Sequence, residues 1–157
     1  MKRTFSDFNN KAYSKISTAK LKVIVNPVEA IFEDAVLRPG STVQGGKAIT
    51  VFNTSEISLR YWIFADWSPV PPTTSLEALL AAQITQVLII KPVLPPLTIF
   101  SGSLQQLNDI PQHGRLLESM ESEELNFTLL LPSSIFITLD ARLKVDFLFV
   151  AQSLQNV

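Results

Sequence analysis

Cysteine is absent from this 157-residue chain, which excludes disulfides, thiolate metal sites and a cysteine nucleophile and leaves the compartment unreadable from redox chemistry. Histidine occurs once, as His113 in Pro111-Gln112-His113-Gly114. One imidazole cannot build a His-Glu-x-x-His zinc motif, and in this setting it reads as an ordinary loop residue. The five glycines stand at 40, 45, 46, 102 and 114, and Gly45-Gly46 leads into a strand rather than a helix, so no phosphate-cradling loop is present. Charge is scarce: charged residues make up 17%, against about 25% in ordinary domains. Thirteen Lys plus Arg against fourteen Asp plus Glu leave a net charge of -1. The chain therefore lacks the overall basic field that draws proteins onto nucleic acid or anionic membrane, and nucleic acid is not expected as a partner. No segment reaches the roughly 20 apolar residues that span a bilayer, and the basic start at Lys2-Arg3 has no apolar export-signal stretch behind it.

What the chain has is apolar residues, 46% of the total. That share excludes intrinsic disorder and exceeds what one core of this length requires, so some apolar surface is expected to be covered by other subunits. Residues 1–18 are polar and mixed, with Phe5, Phe8 and Tyr13 spaced among Ser, Asn and Lys, and read as an extended arm ahead of a single domain, 19–157. From Ala19 the pattern alternates through Leu21, Val23 and Val25 until Asn26-Pro27 ends a half-buried strand. Arg38-Pro39-Gly40-Ser41 predicts a type II turn, because proline presets φ and glycine supplies positive φ at the two central positions. Strands follow over 47–53 and 57–66, joined by a hairpin or a sharp corner at Thr54-Ser55-Glu56.

The prolines of Trp67-Ser68-Pro69-Val70-Pro71-Pro72 predict a loop. Thr74-Ser75-Leu76-Glu77 then fits a capping box that opens a helix over 74–83. A strand at 84–90, a proline-broken edge or loop reaching Phe100, one helical turn at 102–107 and a polar linker from Asp109 to Glu124 come next. Strands over 124–131 and 141–152 close the chain, the last alternating Ala141, Leu143, Val145, Phe147, Phe149 and Ala151 with their neighbours. The reading is all-β: an antiparallel β-sandwich or jelly roll of about seven or eight strands with one or two short helices in its connections.

Few residues carry chemistry. Glu118, Glu121, Glu123 and Glu124 could offer carboxylate oxygens to Ca²⁺, but they lack the Asp/Asn-Gly spacing of a ligand loop, and a solvated acidic surface is the stronger reading. Trp62 and Trp67, with Tyr61 and Phe64, could stack on sugar rings or contact a partner; aromatics alternating on a strand are more often core. No catalytic residue, metal site or cofactor is expected.

Several segments, in order, resemble the TasA/camelysin family of secreted matrix-fibre and spore-coat-associated proteins. Phe5-Ser6-Asp7 followed by Ala19-Lys20-Leu21-Lys22-Val23 resembles that family's mature start and first strand. Leu37-Arg38-Pro39-Gly40-Ser41, leading through Ile49-Thr50-Val51-Phe52-Asn53-Thr54 to Leu59-Arg60-Tyr61, is similar to its turn, strand, asparagine corner and next strand. Phe100-Ser101-Gly102-Ser103-Leu104-Gln105-Gln106-Leu107 resembles its short helix, and 143–152 its closing strand. The sequence departs from the family after Asn53, where a glycine is expected, and at Glu118-Ser119-Met120-Glu121-Ser122, which replaces a proline-glycine-glutamate.

The resemblance implies a jelly-roll subunit, exported by a signal peptide that this chain does not carry, that polymerises outside the cell in a biofilm matrix or at the cell surface. It implies donor-strand exchange, with the arm completing the sheet of the next copy and Phe5, Phe8 and Tyr13 as anchors. Copies of itself are then the expected partners, together with minor matrix or anchoring proteins. A β-sandwich binding module for carbohydrate or protein is the second expectation. The metalloendopeptidase activity described for camelysin-type members is the last, because no ligand set supports it.

Overall fold

The structure, a computed structural model, describes residues 11–14, 23–27, 31–32, 37–109, 114–134 and 141–154. Short strands come first: β1 (Lys11–Ser14), β2 (Val23–Asn26), β3 (Thr42–Gln44) and β4 (Ile49–Asn53). The long β5 (Leu59–Pro69), helix α1 (Ser75–Ile84), β6 (Gln86–Lys91), β7 (Leu97–Ser103) and helix α2 (Leu104–Asp109) follow, and β8 (Arg115–Leu117), β9 (Ser122–Leu130) and β10 (Leu143–Ser153) complete the order. One sheet runs β1-β10-β5-β8 and the other β2-β4-β9-β6-β7, with β3 also paired to β9. The protein is an all-β sandwich with two helices in its connections, as the alternation predicts.

Period-2 patterning places the core between the sheets. Tyr61, Ile63 and Ala65 on β5 point inward with Phe147, Phe149 and Ala151 on β10, facing Leu125, Phe127 and Leu129 of β9. Phe127 forms the aromatic centre, with ring centroids 4.7 Å from Phe147 and 6.5 Å from Phe149. The predicted turn is present: Ser41 N donates to Arg38 O at 2.7 Å and Gly40 has φ +81°. The capping box is present too, Thr74 accepting from Glu77 N while the Glu77 carboxylate accepts from Thr74 N.

Of the two links expected at Thr54-Ser55-Glu56, the structure has the sharp corner, because β4 pairs with β2 and β9 while β5 pairs with β10 and β8 in the other sheet. Two expectations change. Trp67-Ser68-Pro69 is strand and not loop. A proline at the last position of β5 leaves the ladder intact, and Val70 N still reaches Arg142 O at 3.0 Å. The linker between Asp109 and Glu124 contains β8 and the first residues of β9, Ser122 to Glu124.

Apolar surface remains outside the core. Helix α1 buries Ala78, Ala81 and Ala82 while Leu76 is 65% exposed, and Leu94 at the β6–β7 tip is 97% exposed.

Candidate functional site

The arm enters the fold through β1. Its four residues lie along one edge of β10 in the register Lys11 to Leu148, Ala12 to Phe149, Tyr13 to Val150 and Ser14 to Ala151. This is the one parallel pair among the described residues. Every other pairing is antiparallel. Parallel neighbours cannot be joined by a tight turn, so β1 is supplied to β10 from a part of the chain remote in sequence, and main-chain hydrogen bonds are its basic means of attachment. Tyr13, an expected anchor, takes the register position of Val150; Phe5 and Phe8 lie outside the described residues, as does His113.

Beside that edge the four-stranded sheet has an unusual outward face. The cross-strand pairs pointing away from the core are Trp62 with Val150, Phe64 with Leu148 and Asp66 with Asp146. A solvent-facing sheet side should be polar and exposed. Here Leu148 is 0% and Asp146 3% exposed, and the other four residues are half-buried.

Trp62 and Trp67 do not form one platform. Strand parity puts Trp62 on the outward face and turns Trp67 inward, where it packs against the core and its buried indole N–H finds no hydrogen-bond partner. Trp62 instead packs over Gly114, where an added Cβ would lie 2.8 Å from two indole carbons and 3.2 Å from Arg60 Cβ. Gly114→Ala is accordingly expected to displace the Trp62 ring, shifting its fluorescence and costing about 1–3 kcal/mol by urea titration.

The four glutamates do not converge. Glu118 and Glu121 close a tight turn, Glu121 Oε1 accepting from Glu118 N at 2.7 Å and Glu118 Oε2 from Ser58 Oγ at 2.6 Å, with Met120 held at φ +62°. Glu124 is exposed. Glu123 points the other way, in phase with Leu125, Phe127 and Leu129, and its side chain is 2% exposed. It accepts from Arg115 Nε at 3.1 Å and Nη2 at 2.7 Å and from the Tyr61 hydroxyl, with Lys91 Nζ 3.4 Å away.

Glu123 is therefore committed to protein cations, and among the described residues no three acids or histidines gather as a metal site. Burial alone would push its carboxyl up; Arg115, Tyr61 and Lys91 outweigh that and hold it below the usual range. The same burial, reinforced by the carboxylate, raises the Tyr61 hydroxyl far above its ordinary value, so it stays a donor. The cluster joins β5 and β8 of one sheet to β6 and β9 of the other.

The clue to Glu123 was its phase with the inward residues of β9, visible only once that strand begins at Ser122. Three-residue β8 shows no periodicity from which Arg115 could have been found.

No family model matches the chain. No curated protein matches it either.

Proposed function

We propose that the protein is a structural subunit of an extracellular filament, assembling head-to-tail as the arm of one copy supplies β1 to β10 of the next. The observation that carries this reading is the edge pairing of β1 with β10. A strand held in parallel by a remote segment can be contributed by another chain without altering the ladder that receives it. The eight residues 15–22 link β1 to the body at β2, and extended they span about 26–29 Å. That is nearly twice the ~15 Å radius of gyration of a domain this size, enough to cross into a neighbour. A contact of this kind is heterologous and does not close, so it propagates. Exposed Leu76, Leu80 and Leu94 supply apolar surface for contacts between bodies.

Deleting 1–14 tests the reading. Concentrated full-length protein is expected to form filaments in negative-stain electron microscopy, and the truncated protein to stay folded and particulate. Filaments of equal abundance from both would reject it.

A further inference from the structure

We propose that Arg115 of β8 and Lys91 of β6 form a binding site for one oxyanion, a carboxylate or a phosphate group, held between the two sheets. The site does not depend on the assembly reading, because β1 takes no part in it.

The cluster around Glu123 is unbalanced in charge. Arg115 Nη2 lies 2.7 Å and Lys91 Nζ 3.4 Å from the same oxygen, Glu123 Oε1, so two cations meet at one carboxylate, close enough for a single anion to touch both. Among the described residues these are the only ion pairs, and Glu123 is the one acid that bears on Arg115. Tyr61 contributes a neutral hydroxyl that donates to Glu123. One positive charge is left over.

The donors are left over too. A guanidinium carries five N–H groups in a planar fork. Arg115 uses Nε–H and one Nη2–H on Glu123, so the edge formed by Nη1 and the second Nη2–H has no protein acceptor. Such an edge grips a carboxylate or phosphate through two parallel bonds. It is also open to solvent: the one buried side-chain nitrogen or oxygen without a partner among the described residues is Trp67 Nε1, not Arg115 Nη1. The Arg115 and Lys91 side chains are 25% and 33% exposed.

Fixed geometry separates this pair from ordinary surface cations. Two bonds to a glutamate side chain that is 2% exposed hold the guanidinium, and the β5–β8 ladder sets Arg115 opposite Tyr61. Little side-chain freedom remains to be lost when an anion arrives. Lys91 adds a point charge from the last position of β6, complementing the directional fork. An oxyanion cancels the excess charge without displacing Glu123.

The test is a titration of dilute, isotope-labelled full-length protein at neutral pH with sodium phosphate and, separately, with sodium acetate. Sodium chloride holds the ionic strength constant, and the Arg115 Nε–H resonance is followed by NMR. A shift that saturates is expected with at least one of the two salts: saturation by phosphate alone assigns a phosphate group, and saturation by acetate admits a carboxylate. Lys91→Met should weaken that binding at least about tenfold, whereas Lys47→Met, at an exposed lysine on the approach to β4, should change it by less than about twofold. Shifts that stay linear with both salts would overturn the site. So would undiminished binding in Lys91→Met, or equal weakening in the two variants, which would mean that overall charge and not this pair holds the anion. Should Lys91→Met lose its fold, Lys91→Gln replaces it with the same expectations.

Discussion

Arg115→Met should lower stability at neutral pH by about 3 kcal/mol, read as a fall of roughly 1.5 M in the urea midpoint. Methionine keeps the apolar stem, so the loss reports the guanidinium. It donates twice to Glu123, whose side chain is 2% exposed. Without it a buried carboxylate retains only the Tyr61 hydroxyl and Lys91 at 3.4 Å.

The dependence on pH gives the sign. In the native protein Glu123 titrates below its reference value of 4.5. The stability it contributes is therefore complete above that reference and is lost as pH falls through its depressed folded value. In Arg115→Met, burial is no longer outweighed and the folded carboxyl titrates high, so acid relieves the penalty. The gap between the two proteins should narrow from pH 7 to pH 4. A gap independent of pH would show that packing and not charge was lost. Adding Glu123→Gln should recover most of the stability, since a neutral side chain there needs no cation and half-exposed Lys91 can turn to water.

Asn53→Ala is expected to cost about 3–4 kcal/mol, of the same order as the whole margin of many domains. The Asn53 amide is fully buried at the β4–β5 corner. Its nitrogen donates to Ile57 O at 2.8 Å, Glu118 O at 3.0 Å and Leu117 O at 3.1 Å, and its oxygen accepts from Ser55 N at 3.0 Å and from the Ser55 hydroxyl. One side chain thus ties the end of β4, the approach to β5 and the end of β8, which belong to different sheets.

Truncation takes a partner from Ser55 N and from three carbonyls at once, although Ile57 O keeps Ser55 Oγ at 3.2 Å and Glu118 O keeps Glu121 N at 3.1 Å. Asn53→Asp preserves the acceptor but turns a carboxylate on three carbonyl oxygens. It should be the less stable of the two variants at pH 7 and recover in acid as the carboxyl protonates to a donor. Thermal melts at pH 7 and pH 4 check both; a loss below about 1 kcal/mol in Asn53→Ala would mean that water replaces the amide at this corner.

The strand content, the turn at Pro39-Gly40, the capping box at Thr74 and the inward stripe of β10 were legible in the sequence, because each depends on residues within one turn or one strand. A signal for the second apolar face was present too. Phe147-Leu148-Phe149-Val150-Ala151 is an unbroken apolar run, the pattern of a strand covered on both sides. Trp62 and Phe64 repeat it on β5.

Tertiary structure alone decided that Thr54-Ser55-Glu56 crosses between sheets, that Trp62 and Trp67 face opposite ways about one strand, and that Glu123 leaves its acidic neighbours for Arg115, Tyr61 and Lys91. It also decided that β1 lies along β10. The reason is common to all four: a sequence encodes which side of a strand is apolar, whereas the strand that lies next to it is chosen by sheet pairings between residues far apart in the chain.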